Sequence, residues 1–290
     1  MRSDLTGLTS IDIDRTIQSG QVFLWEKHRN SWYGVQGNHV LKVSRNEDNL
    51  PELASYPYDF GSAWSRLFRL DDNFEQIVSS ISFDSFVKQL CESYPGLRLL
   101  RQDPYQSIVS FLCASNTNIQ MIRLMLSRLC KKLGTAVSVD GMTFYTFPPV
   151  EKLAGCSIDD LRSCGLGFRA KAVSMAASSI TDGQIDFDFL RKATYLEARE
   201  SLKEIYGIGN KIADCILLFA FDKLESFPID VWISRVLQSH FDWVELSRDH
   251  LTSKQYESLS ESARAHFGQF AGYAQQYLYY YVRESAGRKW

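Results

Sequence analysis

The chain has 290 residues, 45% hydrophobic and 23% charged, a globular composition that excludes a disordered polymer and is long enough for two or three packed subdomains. Its 32 basic and 34 acidic residues leave a formal charge of −2, which neither supports nor excludes a nucleic-acid partner, because such binding needs local positive potential and aimed amides rather than a basic total. No apolar run is long enough to span a bilayer (the best, 212–221, is interrupted by Asp214), and Met1 to Gln21 lacks the apolar block of a signal peptide, so a soluble intracellular protein is expected.

From Val22 to Ser44 three short aromatic and β-branched runs, VFLW, SWYGVQ and HVLKVS, are punctuated by Arg29-Asn30 and Gly37-Asn38. They predict an antiparallel sheet with hairpin turns. Phe74 to Tyr94 reads as one helix, apolar at Ile77, Ile81 and Phe86, with a stop at Pro95-Gly96. After Pro104 the pattern is helical. Asn118 to Leu133 carries Ile119, Ile122, Leu126 and Leu129 at helical spacing and ends at Gly134. Pro148-Pro149 opens a short helix that Gly155 closes. Thr194 and Glu197 have capping-box spacing, and Leu196, Leu202 and Ile205 form the expected stripe. Gly207-Ile208-Gly209 leads into a helix from Asn210 through Phe219. Asp230 begins another, with Ile233, Val236, Leu237 and Phe241 inward, and a tyrosine-rich helix runs from about Phe270 to Arg283. The expected class is α+β: an antiparallel sheet subdomain with helices (1–100) packed directly on a mostly helical body (101–290). The body's hairpin falls at about 196–219 and its aspartate loop at about 220–232.

The chemistry concentrates between Leu202 and Val236. Two helices joined by Gly-Ile-Gly aim backbone N–H groups one way, and the second helix adds its positive N-terminus, a combination that holds a phosphate oxygen without arginine. Alone, the turn is equally a plain αα-connection needing glycine for its backbone. Lys211 follows the hairpin directly, and Asp230 lies nineteen positions on, after Pro228. Such an aspartate serves as a helix N-cap, yet its charge, facing a lysine across a cleft, also stabilises positive charge developing at a sugar carbon. The lysine must be neutral to attack, so burial is expected to lower its pKa.

This segment resembles the helix-hairpin-helix superfamily of base-excision DNA glycosylases with a Gly/Pro-rich loop and aspartate, and in detail its 8-oxoguanine DNA glycosylase branch. Ser19-Gly20-Gln21-x-Phe23-x-Trp25 is similar to the family's N-terminal motif. Arg101-Gln102-Asp103-Pro104 with Cys113-x-Ser115-Asn116-x-Asn118-Ile119 is similar to its DNA-probing region. Leu166-Gly167-Phe168-Arg169-Ala170 and Ala271-Gly272-Tyr273-Ala274-Gln275 match as well. The resemblance implies a monomer acting on double-stranded DNA containing 8-oxoguanine. Lys211 attacks C1′ to form a Schiff base, with Asp230 as the electrostatic partner and β-elimination nicking the strand. Asn116 fills the space of the everted base, Phe168 wedges beside the opposite base, and Arg169 reads it. Cys215 and Tyr279 sandwich the lesion, Gln275 bonds its Watson–Crick edge, and the Gly20 carbonyl accepts its N7–H. Gly207 and Gly209 hold the DNA backbone.

No metal or redox cofactor is expected in the chemistry, although carbonyls of the hairpin could ligate a structural cation. The six cysteines are scattered singly without a C-x-x-C, as free thiols in a reducing compartment are. None follows Cys215, which sets the chain apart from the branches carrying a C-terminal iron–sulfur cluster. Lys211 argues against an alkylpurine glycosylase, and the pair Lys211 and Asp230 against a non-catalytic DNA-binding hairpin. Met121 stands where eukaryotic members carry an arginine that reads the opposite cytosine. Trp232 replaces an expected histidine, and Tyr279 a common phenylalanine. These departures are expected of a prokaryotic member.

Overall fold

The computed structural model describes residues 6–244 and 251–287. Four antiparallel strands, β1 (Trp25–His28), β2 (Ser31–Gln36), β3 (His39–Arg45) and β4 (Pro51–Tyr56), lie in sequential order. Both expected turns are present, with Arg29 at φ 53° and Gly37 at φ 55°. The first strand begins at Trp25, later than VFLW implied. Val22 and Phe23 bury into two different cores, and pairing starts where Trp25 faces Gly34. Gly34 is dictated by that contact, since a Cβ there would collide with the Trp25 ring. The fourth strand was not anticipated: PELASY opens on proline, which an edge strand tolerates because no ladder N–H is needed at its first residue.

A second, smaller hairpin, β5 (Ala136–Val139) with β6 (Met142–Tyr145), was also not anticipated. Its turn is Asp140-Gly141, both at positive φ (52° and 76°), one of the strongest short-range hairpin signals in the sequence. Asp140 takes a hydrogen bond from the Tyr33 hydroxyl at 2.6 Å and an ion pair from Lys42 at 2.7 Å. The ring of Phe144 stacks on Tyr33, so this hairpin extends the sheet subdomain onto the body.

The helix expected over 74–94 is two helices, Phe74–Ile81 and Ser85–Ser93. Asp84 breaks it by capping the second one, accepting from the amides of Phe86 and Val87 at 3.0 Å. Both pack in the core of the helical body through Ile77, Ile81, Val87 and Leu90. Asn118 caps the helix Ile119–Leu133, and Gly134 ends it for a steric reason, because a Cβ there would strike the Thr146 carbonyl. Thr194 and Glu197 form the capping box of Tyr195–Lys203. That helix buries Tyr195, Ala198 and Leu202, whereas Leu196 points outward at 56% exposure. The expected stripe was therefore one position out of phase at its start, because the box sets the helix's rotation. Ile233, Val236, Leu237 and Phe241 are buried as read.

Two features lock the sheet side to the body. Gln106 donates to the Val35 carbonyl and accepts from the Gly37 amide, both at 2.8 Å. Fully buried Arg69 and neighbouring Arg101 both pair with Asp222, at 2.6 and 2.8 Å, just beyond the helix that carries Lys211. Arg101, part of a motif assigned to DNA probing, thus works as a fold-building residue.

Candidate active site

A cleft of about 820 Å³ opens between the hairpin, the loop after Cys113, the Ser19–Phe23 turn and the helix Ala271–Ser285. It is lined by Lys211, Asp230, Gly20, Cys215, Gln275 and Tyr279, with Asn116, Gly207 and Gly209 at the same wall. Residues as distant in the chain as Gly20 and Tyr279 therefore face one space. Met121, Phe168 and Arg169 are not among its lining. Met121 lies 41% exposed on the first turn of the helix capped by Asn118, and Phe168 is 66% exposed.

Lys211 and Cys215 are one turn apart on the helix Asn210–Ala220 and project the same way. The floor beneath the lysine is aromatic: its Nζ lies 5.8 Å from the Phe111 ring centroid, and Phe111 stacks on Phe219 and meets Phe23 edge-on. Phe111 and Phe219 were not anticipated, because apolar helix positions look alike in sequence whether they face a core or a cleft floor. Burial in this floor pushes the Lys211 ammonium down and is the largest single influence. The negative charge available at Cys215 and Asp230, with a hydrogen bond to Cys215, carries the net balance upward instead. This corrects the expectation of a lowered pKa. Burial pushes the Cys215 thiol up to about 11 despite Lys211, so near neutral pH it is a thiol.

Asp230 follows Pro228 and caps the helix Val231–His240, its Oδ1 accepting from the amides of Trp232 and Ile233, both at 2.9 Å. The cap consumes one carboxylate oxygen and fixes the group's direction. The cap reading of this residue is met, and the cap does not occupy Oδ2.

The turn bearing Gly20 is held by buried polar neighbours. Gln21 donates to the carbonyls of Thr16 and Arg98 and accepts from the Leu100 amide, while Ser19 donates to Thr16. Between them Gly20 adopts φ 79°, a left-handed conformation in which a side chain would be strained. Gln276, absent from the expected site, is 2% exposed and donates to the Ser19 carbonyl at 2.9 Å. A second glutamine in an aromatic final helix was the available signal. On the same helix Gln275 donates through Nε2 to the Pro228 carbonyl at 3.1 Å, leaving its buried Oε1 without a hydrogen-bond partner at the cleft wall. A buried acceptor left this way is costly unless something else donates to it.

The hairpin glycines differ. Gly207 sits at φ 90°, and a Cβ there would meet Ala172 at 2.6 Å, so both conformation and packing demand glycine. Gly209 has an ordinary extended backbone and open space around it, and no side chain caps the helix start there. Asn116 is at φ 47°, a strained value for a residue with a side chain. Arg169 holds that loop by donating to the carbonyls of Ser115 and Asn116, and its guanidinium lies 4.4 Å from the Phe168 ring centroid. Phe168, Arg169 and Asn116 thus form one linked unit beside the cleft. Among the described residues no group of three or more His, Cys, Asp or Glu side chains could hold a metal ion, and no helix is long and apolar enough to cross a membrane.

Residues 5–108 match the 8-oxoguanine DNA glycosylase N-terminal domain, and residues 109–262 match the HhH-GPD superfamily of base excision DNA repair proteins. A probable N-glycosylase/DNA lyase from Methanothermobacter thermautotrophicus is 33% identical, the match covering 70% of this chain and 68% of that one. The N-glycosylase/DNA lyase of Saccharomyces cerevisiae is 27% identical, over 91% of this chain and 81% of its own. The structure of Clostridium acetobutylicum 8-oxoguanine glycosylase/lyase with double-stranded DNA carrying cytosine opposite the lesion superposes with a TM-score of 0.86. Its identity is 28%, covering 96% of this chain and 93% of that one.

Proposed function

This chain belongs to the HhH-GPD superfamily of base excision DNA repair proteins and carries the 8-oxoguanine DNA glycosylase N-terminal domain, and on that premise we propose that it excises 8-oxoguanine from intracellular duplex DNA and then cleaves the strand. The observation that carries the reading is the convergence of Lys211, Asp230 and an acceptor-only Gln275 edge on one cleft. The Watson–Crick edge of a guanine derivative presents N1–H and N2–H donors, and the buried Gln275 Oε1 supplies the acceptor they need. Cys215 and Tyr279 provide the walls of a flat slot. The Gly20 carbonyl, on its rigid turn, is the group suited to the N7–H that distinguishes the lesion from guanine. Losing that partner in a buried site costs about 1–3 kcal/mol, roughly a tenfold to hundredfold preference.

In the chemical step the neutral Lys211 amine bonds to C1′, the glycosidic bond breaks with its electron pair leaving on the base, and the base takes up a proton. Asp230 stabilises the positive charge that builds at C1′ and O4′. Ring opening yields the imine, whose acidified C2′–H permits elimination of the 3′ phosphate. The bare amides at Gly209 and the N-terminus of the Asn210–Ala220 helix are suited to hold a backbone phosphate while this proceeds. A single-turnover assay on duplex DNA with one 8-oxoguanine tests the reading. Base release followed by nicking without added alkali is the expected result, and no release from that duplex would remove it.

Opposite the lesion, Met121 offers no donor, and Arg169 carries the reading of cytosine alone. Excision is expected to favour cytosine opposite the lesion over adenine, guanine or thymine, but less steeply than where an arginine stands at the position of Met121. Met121→Arg is expected to raise the preference for cytosine by about tenfold to hundredfold, the worth of one bidentate base contact. Single-turnover rates with the four duplexes check both statements.

A further inference from the structure

The two reactive side chains stand on different elements, and a buried hydrogen-bond network joins those elements behind the cleft. Asp214 lies one turn beyond Lys211 on the same helix and is fully buried. Its Oδ1 accepts from the Tyr195 hydroxyl at 2.7 Å and from the Arg199 Nε at 3.0 Å, and its Oδ2 from the Tyr256 hydroxyl at 2.6 Å. Tyr256, 6% exposed on the helix Ser253–Phe267, accepts in turn from the backbone amide of Ile229 at 3.2 Å. Ile229 is the residue before Asp230. A second tie runs parallel: the Ser226 hydroxyl donates to the Asp214 carbonyl at 2.9 Å.

We propose that Tyr256 is a positioning residue for the glycosylase step, its hydroxyl relaying the place of the lysine helix, through Asp214, to the backbone that aims Asp230. The proposal rests on Lys211 and Asp230 being the reacting pair. The physical reason is the direction of the two bonds. The phenol donates its one proton to a carboxylate fixed in the lysine helix, so its lone pairs are left for the Ile229 N–H. The other ties of the segment 221–230 fall farther from the carboxylate, at Asp222, at Ser226 and at the Pro228 carbonyl, whereas the Tyr256 bond falls on the residue next to Asp230. Misplacement of a reacting group by about 1 Å costs on the order of a hundredfold in rate, so a pin of this kind acts on chemistry more than on DNA binding. Tyr195 supplies an internal control: it donates to the same carboxylate with a similar bond, but the Ile229 amide goes to Tyr256.

The experiment compares Tyr256→Phe with Tyr195→Phe in the full chain. Each is measured for single-turnover excision of 8-oxoguanine, for affinity toward a duplex holding a tetrahydrofuran abasic-site analogue, and for thermal midpoint. The expected result is a fall in excision of about tenfold or more for Y256F, with affinity within about twofold of the parent. Y195F, with a comparable loss of midpoint, is expected to stay within about threefold of the parent rate. Equal rate losses in the two variants, unchanged excision in Y256F, or a Y256F defect confined to affinity would each overturn the proposal. Should Y256F melt below the assay temperature, difluorotyrosine is placed at 256 and at 195 instead. Fluorination strengthens the hydroxyl as a donor and weakens it as an acceptor, so only position 256 should slow excision. Lys211→Gln run in parallel with borohydride separates the two levels: a trapped adduct in K211Q would remove the reading of the reacting pair, whatever Tyr256 does.

Discussion

Lys211→Gln is expected to lower single-turnover excision of 8-oxoguanine by on the order of a thousandfold or more and to abolish the covalent enzyme–DNA adduct that borohydride traps in the parent. Glutamine keeps the polarity and much of the length of the side chain and removes the nucleophile, so the cleft's shape and the DNA contacts at the hairpin should survive. Unaltered affinity for a duplex with an abasic-site analogue is the companion measurement. The parent enzyme should carry a second signature of the same amine. Lys211 lies above the ordinary lysine value of 10.5 because Cys215, and after it Asp230, outweigh burial. Below its pKa the neutral fraction grows tenfold per pH unit. The logarithm of the single-turnover rate should therefore climb with a slope near 1 from about pH 7 to pH 9. A flat profile over that range, with binding saturated, would show that the amine loses its proton by another route before the chemical step.

The parts of this molecule that were legible in the sequence are those determined locally. Hairpin turns at Arg29-Asn30 and Gly37-Asn38, the stop at Gly134, caps at Thr194 and Asp230, and the buried face of Val231–His240 all appear as read, because a cap or turn depends on a few neighbouring residues. Asp84, as a helix cap, and Asp140-Gly141, as a tight turn, are equally local signals for the break between the two helices and for the second hairpin. The site was legible for a different reason. Motifs spread along the chain resemble one family, and the fold brings Gly20, Asn116, the hairpin residues, Cys215, Gln275 and Tyr279 to one cleft while Phe168 and Arg169 stand beside it. What periodicity could not convey is which apolar or polar helix face meets the cleft. Phe111 and Phe219 form its floor, Gln276 braces the Gly20 turn, and Tyr256 reaches the aspartate loop, each through contacts between elements far apart in the chain. The direction of the Lys211 shift was misjudged for a related reason: burial was read from the sequence, but the opposing charge depended on how closely Asp230 and Cys215 approach.

Asp230→Asn separates the two duties of that residue. Asparagine caps helices about as well as aspartate, and its side-chain oxygen can keep the bonds from Trp232 and Ile233 that now stand at 2.9 Å. What is lost is the charge, worth about 0.3–1 kcal/mol against the helix dipole, so the thermal midpoint should fall by only a few degrees. Excision should fall far more, by on the order of a hundredfold to a thousandfold, the usual cost of removing a preorganised electrostatic contact from a transition state. Asp230→Ala removes cap and charge together and should match the asparagine variant in rate while costing about 1 kcal/mol more in stability. The charge also raises the proton affinity of Lys211, second to Cys215. In Asp230→Asn the ammonium should titrate lower, burial being then less opposed, and the rising limb of the pH–rate profile should move toward acid even as its height collapses. A fall in rate with an unmoved limb would mean that the carboxylate acts on the sugar without setting the proton affinity of the lysine. A stability loss equal to that of the alanine variant would mean that the amide does not preserve the cap. The two duties would then be separated by Asp230→Ser, in which a neutral hydroxyl caps the helix and the rate defect of lost charge should persist unchanged.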